Sequence, residues 1–459
     1  HLLVWFARGR MNLEDTIAAI ATPIGRGGVG IVRVSGPRTI SIARQILDEP
    51  PEPSHVAYRA FKTSDGQVID AGLALMFRGP NSYTGEDVLE LHGHGGRVVL
   101  GMLLKRVLEL GARTARPGEF TLRAYLNEKI DLAQAEAVAD LVDSQTETAA
   151  RSAQRSLQGA FSQTVRNLLG MLIELRKWIE AAIDFPDEDL EILSSPKIRE
   201  QVDFLSTELE KTRSLAKEGV LLKEGITMVI AGRPNVGKSS LLNRLTGEDI
   251  AIVTDIPGTT RDLLRAHISL DGLPIHIVDT AGLRDTQDEI EQQGIDRAWR
   301  EARNADVIML VIDNQVGITA DDEKINSALG SHTRKIIVHN KIDLSNTAPS
   351  VTQVGSNREV RLSALTGHGL EQLRDQLKQM VGYGQTSEPV FIARQRHIEA
   401  LTRAAGFVNK TREGLRDVTG LELVAEDLRL AQTALGEITG EFTNENLLDL
   451  IFADFCIGK

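Results

Sequence analysis

The sequence predicts a multidomain protein of α/β and all-α class, with an α/β domain inserted into a helical domain and a mixed α+β domain ahead of both. Three observations carry this. Residues 226–242, ITMVIAGRPNVGKSSLL, run from a β-branched apolar stretch through a glycine loop into the helix-forming Ser240-Leu241-Leu242. The segments before residue 220 and after residue 392 share a breaker-poor texture with apolar residues at helical spacing. From Met11 to about Glu128, by contrast, short strands and helices are mixed.

At 459 residues the chain is too long for one core, and about three domains are expected. The formal charge of −12 excludes a chain that coats nucleic acid by bulk electrostatics, because phosphate neutralisation needs clustered Lys and Arg. Any RNA contact is then a local patch. Cys456 is the single cysteine, so no intrachain disulfide forms, and the cytoplasm is the expected compartment. No apolar run approaches a membrane span, so no membrane partner is expected. The opening HLLVWFARGR lacks a small-residue cleavage site, which argues against a signal peptide. Met11 reads as the natural start, and the ten residues before it are set aside.

In the first domain, 11–128, the patterns predict strands at 17–21 and 31–34, a helix at 38–47, strands at 71–77 and 87–92, and a helix at 97–110. Gly25, Gly27 and Gly30 satisfy G-x-G-x-x-G, but the strand Ile31-Val32-Arg33-Val34 follows them. A pyrophosphate would find no helix terminus there, so the glycines read as a flexible turn. His92 and His94 lack a third ligand at a fitting spacing, and LHGHGG reads as a glycine-bounded turn. The first helical part, 129–222, is expected to hold one or two long helices over 131–185 and another over 196–220. Between them FPDED interrupts the pattern, and Asp184, Asp187, Glu188 and Asp189 read as a solvated loop. In the α/β domain, 223–384, strand runs at 275–279, 307–313 and 336–340 alternate with helices as in a parallel sheet, and 369–381 closes the block as an amphipathic helix. Residues 392–415, 421–435 and 444–452 return to helix in the second helical part, 385–459.

Gly232 to Ser239 matches G-x-x-x-x-G-K-[ST] with the strand before it and the helix after it that this motif requires. Backbone N–H groups along Asn235, Val236, Gly237, Lys238, Ser239 and Ser240 can curl round phosphates, Lys238 reaches the outer phosphates, and Ser239 is a Mg²⁺ ligand. Four more pieces follow in the order of a guanine-nucleotide GTPase. The run Thr254, Asp255, Ile256, Pro257, Gly258, Thr259, Thr260 places Thr260 to close over the γ-phosphate and Mg²⁺. Asp279, Thr280, Ala281 and Gly282 end a strand, where the Asp can hold Mg²⁺ through water and the Gly N–H can sense the γ-phosphate. Asn340, Lys341, Ile342 and Asp343 end another; the Asp carboxylate accepts two guanine N–H donors that adenine lacks. Ser363, Ala364 and Leu365 supply a backbone N–H for the guanine carbonyl. The expected fold is therefore a Ras-like P-loop GTPase domain, with GTP and Mg²⁺ as ligands, inserted into the helical domain.

Hydrolysis poses a difficulty. Switch GTPases orient water with a Gln just after Asp-x-x-Gly, and Leu283 occupies that position. No arginine finger is assignable, although one is worth about 10³–10⁵ in rate, or roughly 4–7 kcal/mol.

GRPNVGKSSLLN, TDIPGTTRD, DTAGLR and NKID, with ATPIGRGGVGIVRVSG, PNSYTGEDVLELHGHGG, PGEFTLRAYLNEKIDLAQAEAVADL and the terminal ITGEFTNENLLDLIFADFCIGK, resemble the MnmE (TrmE) family of tRNA-modification GTPases. The resemblance runs from about Asn12 to Lys459. It implies GTPase domains that dimerise around K⁺, a homodimer through the N-terminal domain, and an FAD-dependent MnmG-like partner in a heterotetramer or larger complex. The implied reaction places an aminomethyl or carboxymethylaminomethyl group on C5 of the wobble uridine of certain tRNAs. A tetrahydrofolate derivative (5-formyl- or methylene-tetrahydrofolate) supplies the carbon.

By motif, the resemblance places K⁺ on Asn235, Thr254, Ile256 and Thr259, where an arginine finger's charge would act. It assigns water orientation to Glu291, which by itself reads as one of several surface acids. It assigns folate binding to Arg33, Glu90, Lys129 and Lys459: a carboxylate suits pterin N–H groups, and cations suit a glutamate tail. For these to meet, the C-terminus must fold back onto the first domain or onto a partner subunit's copy. Cys456 reads either as a small hydrophobe in an apolar helix or as a catalytic, nucleophilic group beside the folate residues. Two rival readings stand beside this one: a partner-binding regulatory or ribosome-assembly switch, and a folate-dependent transferase with a vestigial GTPase domain. PNSYTGED and FCIGK argue against the first, and the complete nucleotide motif set argues against the second.

Overall fold

The computed structural model describes residues 15–23, 25–184, 196–246, 265–279, 305–328, 334–355, 357–384, 391–415, 420–441, 445–453 and 455–458. They divide into two compact units, one of His1–Ala139, Ser156–Leu209 and Ala400–Lys459, the other of Asp140–Arg155 and Glu210–Glu399.

The chain opens with β1 (Ile17–Ile20), β2 (Gly30–Ser35), α1 (Thr39–Leu47), β3 (Val56–Lys62), β4 (Val68–Phe77), β5 (Val88–Gly93), α2 (Arg97–Glu109) and β6 (Arg113–Thr114). The strands form a sheet of order β3-β4-β5-β2-β1-β6. Alternation sends Val32, Val34, Leu89 and Leu91 into a core with Ile42, Ile46, Leu103 and Val107 of the two helices. The intervening Arg33 and Glu90 point to the other face, and the β2–β5 register sets them directly opposite each other. His92 lies inside β5, as the strand expected over 87–92 places it, and His94 follows in the glycine-bounded link to α2.

Next come α3 (Glu119–Leu126), α4 (Leu132–Val142), α5 (Glu147–Leu157), α6 (Ala160–Asp184) and α7 (Pro196–Glu224). The stretch expected as one or two long helices is three. Thr146 ends one break by capping α5, its Oγ1 accepting the Ala149 N–H at 3.1 Å. Gly159 makes the other with φ +90, a left-handed conformation that glycine adopts without strain.

The α/β block contains β7 (Ile226–Ala231), α8 (Lys238–Thr246), β8 (Arg265–Leu270), β9 (Leu273–Asp279), β10 (Val307–Asp313), α9 (Ala320–Ala328), β11 (Arg334–Asn340), β12 (Ser350–Val354), β13 (Asn357–Arg361) and α10 (Leu370–Val381). The sheet order is β12-β13-β11-β10-β7-β9-β8. Its middle strands are parallel, as expected. The edge pairs β8–β9 and β12–β13 are antiparallel. Asp271 and Gly272, both at positive φ, turn β8 back on β9 in two residues, too short a link for a parallel crossover.

The last helices are α11 (Gln395–Gly414), α12 (Leu421–Thr439) and α13 (Glu445–Ala453). α12 packs along α6, and Arg176 Nη1 donates to Gln432 Oε1 across that seam at 3.1 Å. Leu448, Ile451, Phe452 and Phe455 pack with Leu122, Leu126 and Leu132. Among the described residues, no helix is long and apolar enough to cross a membrane.

Candidate functional sites

The phosphate loop lies at the C-terminal end of β7, where an open α/β sheet binds its ligands. Gly232 has φ +145, and a Cβ there would sit 2.2 Å from the Val311 carbonyl oxygen of β10. Gly237, at φ +96, leaves room for Asn340, whose Nδ2 would lie 2.3 Å from such a Cβ. Both glycines are thus required by close approach. Lys238 begins α8, and its Nζ donates to the carbonyls of Gly232 and Arg233 at 2.7 and 2.9 Å. Asn235 is exposed with φ +64. Ser239 and Ser240 are exposed in the first turn of the helix.

Asn340 ends β11, buried, and links two loops: Nδ2 donates to the Val236 carbonyl at 2.9 Å, and Oδ1 accepts the Ala364 N–H at 2.9 Å. Lys341 follows at φ +69, with Nζ 2.8 Å from Asp313 Oδ2. Burial pushes the Asp313 carboxyl up, but its bonds to Lys341 and the Gln315 N–H outweigh this and hold it below the usual carboxylate range. Ser363 is buried, and its Oγ accepts the Thr366 N–H at 3.2 Å. Leu365 is 77% exposed. Asp343 lies in a short 3₁₀ turn, Ile342–Leu344, and its Oδ1 is buried with no hydrogen-bond partner. A buried, unsatisfied carboxylate oxygen is costly unless something supplies donors. A guanine edge is such a donor.

The second site lies on the first sheet. Arg33 Nε is 2.9 Å from Glu90 Oε1, and Nη1 donates to the Gly458 carbonyl at 3.2 Å. The guanidinium lies 6.0 Å from the Tyr83 ring centroid and 5.6 Å from that of Phe120. Burial pushes the Glu90 carboxyl up, but His92 and Arg33 outweigh it and keep it below the ordinary range. Glu90 therefore stays ionised at neutral pH. The C-terminus reaches this place by pairing: Ile457 bridges Pro117, and the Gly118 N–H donates to the Cys456 carbonyl at 3.3 Å. Gly458 has φ +100, and a Cβ there would stand 2.6 Å from the Ile20 carbonyl oxygen. The chain thus folds back onto its own first domain.

Lys129 is not joined to this pair; its Nζ donates to the Pro80 carbonyl at 2.9 Å. Cys456 is exposed and lies beyond the end of α13. The small-hydrophobe-in-a-helix reading is therefore corrected: α13 is described to Ala453, and Cys456 lies outside it, next to the Ile457 bridge to Pro117. His92 Nε2 donates to Glu90 Oε2 at 2.9 Å, and His94 pairs with Asp70 at 2.8 Å.

Thr254, Asp255, Ile256, Pro257, Gly258, Thr259, Thr260, Thr280, Ala281, Gly282, Leu283, Glu291 and Lys459 lie outside the described residues, as does the acidic loop at 187–189; Asp279 closes β9. Sequence reading missed Asp313, Asp322, Tyr83 and Phe120 as members of the two sites. The last two stand inside PNSYTGED and PGEFTL, but spacing alone did not show that they would meet Arg33.

A family model described as the MnmE helical domain matches residues 132–456, and another, the GTP-binding protein TrmE N-terminus, matches residues 16–129. The tRNA modification GTPase MnmE of Actinobacillus succinogenes is 52% identical over 452 residues, covering 97% of this chain and all of that protein. Among solved structures, Aquifex aeolicus Era bound to GDP.AlF4- is 25% identical over 40% of this chain and 66% of its own, with TM-score 0.28. The G domain of the T. maritima FeoB iron transporter is 24% identical over 34% of this chain and 98% of its own, with TM-score 0.25.

Proposed function

We propose a function from one premise: this chain belongs to the MnmE family of tRNA modification GTPases. It is a GTP hydrolase that acts in tRNA modification. The finer reading is that GTP hydrolysis, stimulated by K⁺, drives addition of an aminomethyl or carboxymethylaminomethyl group to C5 of the wobble uridine, with an FAD-dependent partner and a tetrahydrofolate one-carbon unit.

One observation carries this reading. A single chain carries both a phosphate loop with the unpartnered Asp343 Oδ1 and an Arg33–Glu90 pair covered by its own Gly458. A switch that only bound partners would have no use for the second. Asp343 selects the base, Lys238 holds the outer phosphates, and Ser239 with Thr260 would hold Mg²⁺, with Asp279 reaching it through water. Asn235, Thr254, Ile256 and Thr259 would hold K⁺, whose charge offsets the negative charge that develops in the transition state. Glu291 would orient the attacking water. At the other site the ionised Glu90 suits pterin N–H groups, Arg33, Lys129 and Lys459 suit a folate's carboxylates, and Cys456 is the candidate nucleophile.

The domain division is 11–128, 129–222, 223–384 and 385–459. Dimerisation falls to the first domain, where β3 is the sheet edge and Val56, Tyr58, Val68 and Leu73 of β3 and β4 are exposed. The cytoplasm is the place of action, since tRNA is the substrate.

The test is nucleoside analysis of tRNA from cells lacking this protein. The 5-substituted wobble uridine should disappear, return with the wild-type gene, and fail to return with Cys456→Ser. Unchanged tRNA in the cells lacking the protein defeats the reading, and full rescue by Cys456→Ser removes the cysteine from the chemistry.

A further inference from the structure

Arg233 stands second in the phosphate loop, and its side chain ends on Asp322 in the first turn of α9. Its Nε lies 3.2 Å from Oδ1 and 3.1 Å from Oδ2 of that carboxylate. Asp322 is 0% exposed. Its Oδ2 also accepts the Thr319 N–H at 3.0 Å and the Thr319 hydroxyl at 2.7 Å. Thr319 and Asp322 therefore form a box that caps α9.

The cap alone does not account for the residue. Capping requires an acceptor, which an asparagine offers as readily, whereas a buried carboxylate is costly unless a cation neutralises it. Arg233 is that cation. At the other end of Arg233, its carbonyl and that of Gly232 accept hydrogen bonds from Lys238 Nζ. A continuous set of contacts thus runs from α9 through the Arg233 side chain and peptide to the lysine that meets the outer phosphates.

We propose that Asp322 is a positioning residue for nucleotide binding: by holding Arg233 it fixes the peptide that orients Lys238 and so raises affinity for GTP. The same segment serves the base half of the site, since Asp313, nine residues before Asp322, pairs with Lys341. Residues 313–322 thus send one carboxylate to the phosphate loop and another to the base-reading loop. The inference rests on reading 232–239 as the phosphate loop.

The test is a double-mutant cycle in the full chain, with the dissociation constant for GTP as the readout and the thermal unfolding midpoint as a check on folding. Asp322→Asn keeps an acceptor for Thr319 and removes the charge; Arg233→Gln removes the cation from a partly exposed position and carries the test should Asp322→Asn not fold. Each single variant should weaken GTP binding about tenfold, the size of one charge-assisted hydrogen bond. The double variant should bind no more weakly than the weaker single, because both changes remove one link. Wild-type affinity in either single variant, or losses that multiply in the double, overturns the proposal. A wild-type chain that does not bind GTP overturns the phosphate-loop reading along with it.

Discussion

At the scale of single residues, the two sites show how differently side chains reveal their roles. Asp343 was legible before any coordinates, because N-K-x-D at a strand end is specific and its chemistry is simple. The structure adds that its Oδ1 is buried and unpartnered, so a donor must arrive with the ligand. Xanthine presents an acceptor where guanine presents the exocyclic amine. Asp343→Asn, which exchanges an acceptor for a donor, should therefore weaken GTP binding by about 10²-fold or more and confer binding of XTP. Competition binding of the two triphosphates checks this, and unchanged GTP affinity would remove Asp343 from base selection. Arg33 was not legible in the same way. Alone it is a cation on an alternating strand; only the register that faces it with Glu90 and the return of Gly458 make it part of a site.

At the scale of elements, strands and helices that carry core residues at a clear period stood out from sequence, as did the phosphate loop between β7 and α8. The edge strands did not, because β12 and β13 are short and largely polar. The β8–β9 hairpin was readable in principle, because Asp271-Gly272 is a strong two-residue turn signal. The hairpin tip is held from several sides, with Lys378 Nζ 2.6 Å from Asp271 Oδ2 and the Thr146 hydroxyl donating to the Gly272 carbonyl at 2.8 Å. The loop glycines were recognised by motif, yet the reason for Gly237 is packing against Asn340. Gly237→Ala meets both a left-handed backbone and the Asn340 amide, and strain of about 1–3 kcal/mol predicts a GTP affinity about fivefold to 150-fold lower. Gly384→Ala is the matched comparison, with φ +73 and open space around its Cβ. It should leave GTP affinity unchanged, and equal losses in the two variants would show that backbone strain alone, not the Asn340 contact, matters.

At the scale of the whole molecule, sequence texture revealed a GTPase domain set within helical segments and a separate first domain, and the family to which the chain belongs has those parts. Texture could not show what covers Arg33, since a tail that folds back and one that crosses to a second copy have the same pattern; in the structure Gly458 and the Ile457–Pro117 bridge lay the tail on its own first domain. The charge balance of hydrolysis belongs to this scale as well. Leu283 stands where a switch GTPase has its water-orienting Gln, and no arginine finger is assignable, so positive charge for the transition state must come from elsewhere. Asn235 is exposed at φ +64 in the phosphate loop, and the proposed function makes it a ligand of the compensating cation. If that cation is K⁺ held between two copies, GTP turnover should be at least about tenfold faster in KCl than in NaCl of equal ionic strength, since the arginine-finger charge it would replace is worth about 10³–10⁵. It should also fall when the chain is diluted below its dimerisation range. Asn235→Ala should abolish the difference between the salts while GTP still binds. Equal rates in the two salts for the wild type would exclude the potassium mechanism and return the search for the compensating charge to the chain's own lysines and arginines.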